Sequence, residues 1–72
     1  MSVVTKRDRK LGKQLRKTRR QKKLTQEQLA EKVDVTAKYI QYLEAAKRIP
    51  SLKLLYRLAD NLQVKVRDLI TF

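Results

Sequence analysis

The segment from Ala37 to Ala45 carries polar side chains at a spacing that would let them bind another molecule. If the segment is helical, successive residues turn by about 100°, and Ile40 and Leu43 share one side. The opposite side is polar and contains almost no acid. In the DNA major groove, lysine can donate to base acceptors, glutamine can match paired donor and acceptor edges, and alanine can contact a thymine methyl group. The candidate base-contacting residues are therefore Ala37, Lys38, Gln41 and Tyr42.

The chain is strongly basic, and its charge is concentrated in the first third. It has 19 Lys and Arg against 7 Asp and Glu, a formal net charge of +12. Residues 1–23 contain eleven of the basic residues and a single acid, Asp8. Such a segment repels itself unless a polyanion neutralises it, so the expected partner is nucleic acid, an anionic membrane surface or an acidic protein. A solvated tail without a specific role is the alternative for residues 1–8.

The residue types that the chain lacks exclude several functions. With no His and no Cys, it has no imidazole acid or base, no thiol nucleophile, no disulfide and no zinc site of the usual kind. We therefore expect neither an enzyme nor a bound cofactor or metal. No apolar run approaches the roughly 18–20 residues of a membrane span, and the amino terminus lacks the apolar core of a secretory signal. The expectation is a cytoplasmic protein with no membrane partner and no small-molecule ligand.

Hydrophobic periodicity predicts five helices and no strand, which is an all-α fold. Thr25, with Gln28 three residues later, has the spacing of a capping box, and Pro50 cannot continue the helix before it. Because there is no interior linker, we expect residues 1–72 to form one domain, with residues 1–5 as a flexible arm. The predicted helices are Lys6–Gln21, a second capped by Thr25, Ala37–Ala45 capped by Thr36, a fourth capped by Ser51, and Lys65–Thr71.

The stretch from Leu24 to Glu44 has the pattern helix, tight turn, helix, with apolar residues spaced for one inner side. Motifs at fixed spacing extend this pattern over about residues 11–70: Leu15-Arg16-x-x-Arg19, Leu24-Thr25-Gln26-x-x-Leu29-Ala30, Val35-Thr36, Ile40, Leu43-Glu44, Lys47-Arg48-x-Pro50-Ser51-Leu52, Leu58-Ala59-x-x-Leu62 and Val66-x-x-Leu69. The ordered set resembles the lambda-repressor-like, Cro/repressor-type (XRE) helix-turn-helix family. That resemblance implies a compact five-helix domain with the helix-turn-helix at helices two and three. It also implies a regulator of transcription that binds double-stranded DNA, typically a dimeric repressor on a palindromic operator.

The resemblance also implies roles for individual residues. Ala37, Lys38, Gln41 and Tyr42 fall at positions that face bases or the adjacent backbone. Arg19 and Glu44 match a partly buried ion pair between the first and third helices, and Gln26 matches a glutamine that meets a phosphate and braces the recognition helix. The residues expected to contact the DNA backbone are Gln26, Thr36, Tyr39, Lys47 and Arg48. The residues expected at a dimer interface are Leu69, Ile70 and Phe72.

Two positions depart from the family pattern, because Asp34 and Ala46 stand where glycine is usual. Aspartate tolerates a left-handed backbone better than most residues, so we expect the turn at Asp34 to survive. Alanine in that conformation costs roughly 1–2 kcal/mol, so we expect the loop at Ala46 to follow a different path. Alanine at position 37 also shortens a side chain that often contacts a base, which leaves more of the base contact to Lys38, Gln41 and Tyr42.

Two other functions remain open at the level of sequence. The same fold could dock another protein, as a coactivator or an antitoxin-like module does. Acidic or large apolar residues on the outer side of the third helix would indicate that use, and Lys38, Gln41 and Tyr42 argue against it. A non-specific binder of RNA or membrane surfaces, driven by residues 6–23, is the other alternative. It predicts that the amino-terminal segment alone binds as tightly as the whole chain.

Overall fold

The computed structural model describes residues 4–70, which form five α-helices and no strand. The helices are α1 (Lys6–Gln21), α2 (Gln26–Val33), α3 (Ala37–Glu44), α4 (Leu52–Leu62) and α5 (Val66–Ile70). The predicted all-α fold is confirmed, with small differences at two helix ends. α3 stops one residue before Ala45, which is its C-cap. α5 begins after Lys65, whose backbone N–H donates to the Asp68 carboxylate at 2.9 Å; Thr71, the predicted end, lies outside the described residues.

Each of the first four helices begins after a hydroxyl residue whose side chain accepts a backbone N–H three residues further on. At α2, Thr25 Oγ1 accepts from the Gln28 N–H at 3.0 Å and Gln28 Oε1 accepts from the Thr25 N–H at 2.8 Å, which confirms the capping box. Thr5 and Asp8 form the same arrangement at α1. Thr5 therefore belongs to a helix cap and not to the flexible arm predicted over residues 1–5, of which residues 1–3 lie outside the described range.

The apolar sides of all five helices meet in one core. α3 contributes Ile40 and Leu43, both buried, so its inner side is fully used in packing. Burying a Leu or Ile side chain stabilises the fold by about 1.5–3 kcal/mol, which makes this core the main favourable term in a chain without cysteine. The large side chains with essentially no exposure are Leu15, Leu29, Val33, Ile40, Leu58, Leu62 and Leu69.

α1 and α3 approach each other at Gly12, the only glycine of the chain. A Cβ atom built at Gly12 would lie 2.6 Å from the Glu44 carbonyl oxygen and 2.8 Å from the Leu43 carbonyl oxygen. Neither oxygen can move away easily, because both belong to the backbone at the end of α3. Gly12 therefore sets the distance between α1 and the helix that carries the candidate base-contacting residues.

Tight turns follow α1, α2, α3 and α4, and each contains a non-glycine residue with positive φ: Lys23, Asp34, Ala46 and Gln63. Asp34 has φ 61° as the C-cap of α2, so the expectation that this turn survives is confirmed. The expectation for Ala46 is wrong, because it has φ 59° and takes the left-handed conformation that glycine would take. Its methyl group is buried, and the Lys47 N–H next to it donates to the Tyr42 carbonyl at 2.8 Å. Packing and this hydrogen bond hold the loop in place despite the conformational cost.

Candidate nucleic-acid interface

The outer side of α3 is exposed at Lys38 and Gln41 and half-buried at Tyr42. Lys38, Gln41 and Ala45 are exposed, whereas Ile40 and Leu43, on the same helix, are buried. Thr36 is also exposed, and its hydroxyl accepts from the Tyr39 N–H at 3.1 Å, which fixes the start of the helix. The structure therefore places two predicted base-contacting residues, Lys38 and Gln41, where a second molecule can reach them.

Ala37 and Tyr39 are only half-buried, and both pack against the hydrophobic core at the amino-terminal end of α3. The Tyr39 ring therefore supports the helix from its flank while part of it stays accessible. Ala37 lies in the first turn, where free backbone N–H groups and the helix dipole favour an anion such as phosphate. The position of Tyr39 agrees with the backbone contact predicted for it, and Ala37 lies at the tip of the helix where its base contact is predicted; both contacts stay predictions.

Tyr42, in the carboxyl-terminal half of α3, has two cations near its ring. The Lys38 ammonium nitrogen is 5.8 Å and the Arg48 guanidinium carbon 5.9 Å from the centre of its ring. Backbone hydrogen bonds from the Lys47 and Arg48 N–H groups to the Tyr42 carbonyl, at 2.8 Å and 3.3 Å, fold the loop back over the end of the helix. The structure thus brings four of the predicted contact residues together: Lys38, Tyr42, Lys47 and Arg48.

Arg19 and Glu44 form the ion pair that the sequence predicts, and it lies beneath this surface. Arg19 Nε donates to Glu44 Oε2 at 2.6 Å and Arg19 Nη2 to Glu44 Oε1 at 3.1 Å, while Nη1 donates to the Leu24 carbonyl at 2.7 Å. Their side chains are 10% and 4% exposed. The paired geometry joins α1 to the end of α3.

Gln26, in the first turn of α2, extends this network to the surface. Its Nε2 donates to Glu44 Oε1 at 3.1 Å, so it braces α3 through the carboxylate of the ion pair. The side chain is half-buried and lines a groove with Thr25, Gln41 and Ala45. The bracing role expected for Gln26 is therefore visible, whereas its contact with a phosphate stays a prediction.

Sequence reasoning missed two residues of this site. Arg16 is exposed and lines the same groove as Gln26 and Gln41; it lies in a motif that indicated the family, but nothing local distinguishes it from the other basic residues of α1. Gly12 sets the spacing of α1 and α3. The sequence did contain a sign of this role, because Gly12 lies inside a predicted helix. A glycine there destabilises the helix by about 0.5–1 kcal/mol relative to alanine, which indicates that close packing requires it.

The carboxyl-terminal residues predicted for a dimer interface do not share one environment. Leu69 has no exposed surface, because it packs into the chain's own core. Its placement at the interface is therefore corrected to a core position. Ile70 is 44% exposed and lines a shallow concavity with Arg7, Asp8 and Leu11. Phe72 lies outside the described residues.

The described part of the chain contains no cluster of His, Cys, Asp or Glu able to hold a metal ion. No helix within residues 4–70 is both long and apolar enough to span a membrane.

Comparison with known proteins connects this geometry to a family. The sequence model of the helix-turn-helix family matches residues 15–69. An uncharacterized HTH-type transcriptional regulator from Archaeoglobus fulgidus is 43% identical over 49 residues, which cover 68% of this chain and 69% of that protein. Multiprotein-bridging factor 1 of Candida albicans is 42% identical over 65 residues, which cover 90% of this chain but only 43% of that protein.

Among solved structures, the P22 c2 repressor protein in complex with synthetic operator 9T and Tl+ has the same fold. It superposes with a TM-score of 0.79 at 26% identity and covers 85% of this chain and 92% of its own. These similarities agree with the prediction that the chain is not an enzyme. Because the family match spans most of the five-helix core, the chain belongs to the lambda-repressor-like (XRE) branch of the helix-turn-helix family.

Proposed function

We propose that this protein is a sequence-specific regulator of transcription that inserts α3 into the major groove of double-stranded DNA. Lys38, Gln41 and Tyr42 contact base edges, and Ala37 approaches a thymine methyl group at the tip of the helix. Residues around them hold the phosphate backbone and set the orientation of α3 on the duplex. These backbone contacts are assigned to Gln26, Thr36, Tyr39, Lys47 and Arg48.

The observation that carries this proposal is the division of α3 into a buried and an exposed side. Ile40 and Leu43 attach the helix to the core, while Lys38 and Gln41 extend from the other side without an acidic neighbour there. The acid of the helix, Glu44, is turned inward to Arg19. The outer side is thus a set of donors on a rigid support, which suits the acceptor-rich edges of the major groove.

We further propose that the protein represses transcription as a dimer on a palindromic site. A two-fold partner would place a second α3 in the next major groove, about 34–36 Å away. Ile70 and Phe72 are the proposed contacts, because Ile70 is an exposed large apolar residue at the end of α5 and Phe72 follows it closely. Repression then follows from occupation of the operator. The similarity to the P22 c2 repressor bound to an operator supports this choice.

Selection of bound sites from a random duplex library tests the proposal. A palindromic consensus with half-sites about 10 base pairs apart is the expected result. A consensus without a palindrome would contradict the dimer but would still support base contact by α3. The absence of any consensus would contradict the proposed function itself. The dimer has its own test in Ile70→Asp, which should sediment as a monomer, while Leu52→Asp, at another exposed apolar position, should sediment like the wild type.

A protein-docking module is the second candidate, and the similarity to multiprotein-bridging factor 1 over 90% of the chain is the observation that favours it. Under that function, Lys38 and Gln41 would carry no information about DNA sequence. Lys38→Ala and Gln41→Ala would then leave the preference for every base pair unchanged. The proposed regulator instead requires each variant to relax the preference at particular base pairs.

A further inference from the structure

α1 carries eight exposed basic residues, and six of them, which leave out Arg7 and Lys10, follow one another at spacings of up to four residues from Lys6 to Arg20. None of the six forms an ion pair with a carboxylate of residues 4–70. The ion pair that α1 does make uses Arg19, which faces the core side of the helix. We call the six residues the α1 stripe: Lys6, Arg9, Lys13, Arg16, Lys17 and Arg20.

The composition of the α1 stripe favours one class of partner. A helix that lies on a membrane inserts an apolar side, but Leu11 and Leu15, the apolar residues of α1, pack toward the core. A protein partner needs aromatic or aliphatic anchors at the centre of the interface, and the stripe contains only lysine and arginine. A polyanion needs neither feature, because phosphate groups are bound by charge and hydrogen-bond donors alone.

The spacing of the exposed cations of α1 matches the charge density of duplex DNA. From Lys6 to Arg20 the helix rises by about 21 Å at about 1.5 Å per residue. With Arg7 and Lys10, which are also exposed, eight cations lie along that length, roughly one charge per 3 Å. Each DNA strand carries one phosphate per about 3.4 Å of the helix axis, so the two densities are similar.

Arg16 connects the α1 stripe to the surface formed by α3. It lines the groove that contains Gln26 and Gln41, and it also lines a second shallow concavity with Lys13, Lys17 and Arg20. A duplex that meets α3 across this groove can therefore reach the cations of α1 through Arg16.

We propose that the α1 stripe binds phosphates of the same duplex whose bases α3 contacts, outside the base pairs that α3 reaches. This inference rests on the proposed function, because it requires α3 to bind duplex DNA. The α1 stripe supplies affinity that is independent of sequence and sensitive to salt, while α3 supplies the base preference. It also lengthens the DNA that one subunit covers.

Two triple variants of equal charge test this assignment. Lys13→Gln, Lys17→Gln and Arg20→Gln together remove three charges from the α1 stripe. The control, Lys32→Gln, Lys53→Gln and Lys65→Gln, removes three charges from exposed residues elsewhere on the molecule. Dissociation constants are measured across a series of salt concentrations, with a duplex that ends at the selected consensus and with one that continues beyond it. Circular dichroism of both variants checks that they fold.

The stripe variant should reduce the slope of log K against log salt by about 2–3 units on the long duplex, since each phosphate contact contributes about 0.9. It should differ much less from the wild type on the short duplex and keep the same preferred sequence. Equal slopes for the two triple variants, or an equal effect on both duplexes, would overturn the proposal. If the proposed function is wrong, the result is different: the wild-type protein itself would bind all DNA sequences with equal affinity.

Discussion

At the scale of single residues, Arg19 and Glu44 connect α1, α3 and the chain at Leu24 through charge-assisted hydrogen bonds. Removing one partner leaves the other charge buried without compensation. Arg19→Met and Glu44→Leu should each lower the free energy of unfolding by about 3–5 kcal/mol, a large part of the stability of a small domain. The double variant should lose less than either single variant, because no charge is stranded. Urea unfolding followed by circular dichroism measures all three.

Arg20→Met is the matched control for this experiment, because Arg20 is the neighbouring arginine and is exposed. Its effect on the free energy of unfolding should stay within about 0.5 kcal/mol. If Arg19→Met and Arg20→Met cost the same, the buried pair does not stabilise the connection between α1 and α3.

Gln41 is the residue at which base contact can be tested most directly, since it is exposed in the middle of α3 and no hydrogen bond to the rest of the described chain occupies its side chain. A glutamine can make two hydrogen bonds to one adenine, and a good pair of this kind contributes about 1–3 kcal/mol of discrimination. Gln41→Ala should therefore relax the preference at one base pair per half-site by that amount. Competition binding with single-base operator variants measures the change.

Gln21→Ala serves as the control for Gln41→Ala, because Gln21 is an exposed glutamine at the end of α1. It should leave every base preference intact. A uniform loss of affinity across all operator variants with Gln41→Ala would show that Gln41 contacts the backbone and not a base.

At the scale of elements, the position of α3 depends on the close approach of α1 at Gly12. An added methyl group would lie within 3 Å of two backbone oxygens of α3, and separating the helices would also disturb the ion pair of Arg19 and Glu44. Although alanine is the better helix former by about 1 kcal/mol, Gly12→Ala should destabilise the fold by about 1–3 kcal/mol through overpacking. Thermal unfolding detects the change, and affinity for the operator should fall with it.

Lys13→Ala introduces the same residue at the next position of α1, where the side chain is exposed. It should be neutral or slightly stabilising, as helix propensity predicts. A stabilising Gly12→Ala would mean that α1 and α3 are farther apart in solution than the structure shows.

The local elements could be predicted from the sequence, whereas most contacts between them could not; the ion pair of Arg19 and Glu44 was predicted only through the family resemblance. A cap such as Thr25 with Gln28 depends on residues a few positions apart, so spacing alone indicates it. The left-handed turn at Asp34 was expected from the family pattern and from the tolerance of aspartate for that conformation. Leu69 and Gly12 depend on what another helix places beside them. Leu69 was assigned to a surface because its neighbours in sequence gave no sign that α1 and α4 bury it. The exposure of Lys38 and Gln41 could be predicted because Ile40 and Leu43 mark the inner side of α3.

At the scale of the whole molecule, a net charge of +12 in 72 residues opposes the compact state. The α1 stripe places like charges three and four residues apart, and each such pair costs a helix roughly 0.2–0.5 kcal/mol. Salt screens this repulsion, since the Debye length falls from about 30 Å at 0.01 M to about 10 Å at 0.1 M. The buried ion pair of Arg19 and Glu44 is screened far less.

The free energy of unfolding should therefore rise with sodium chloride between about 0.01 M and 0.3 M, by about 1 kcal/mol. The α1 stripe variant with glutamine at positions 13, 17 and 20 should be more stable than the wild type at low salt and should show a smaller rise. The control variant with glutamine at positions 32, 53 and 65 should show nearly the full rise, since those charges lie on three separate elements or loops. Urea unfolding at each salt concentration measures the three curves. If the free energy of unfolding rises equally in the two triple variants, the repulsion comes from the net charge of the whole protein. If it rises less in the stripe variant alone, the repulsion lies on α1, which is the surface that a bound duplex would neutralise.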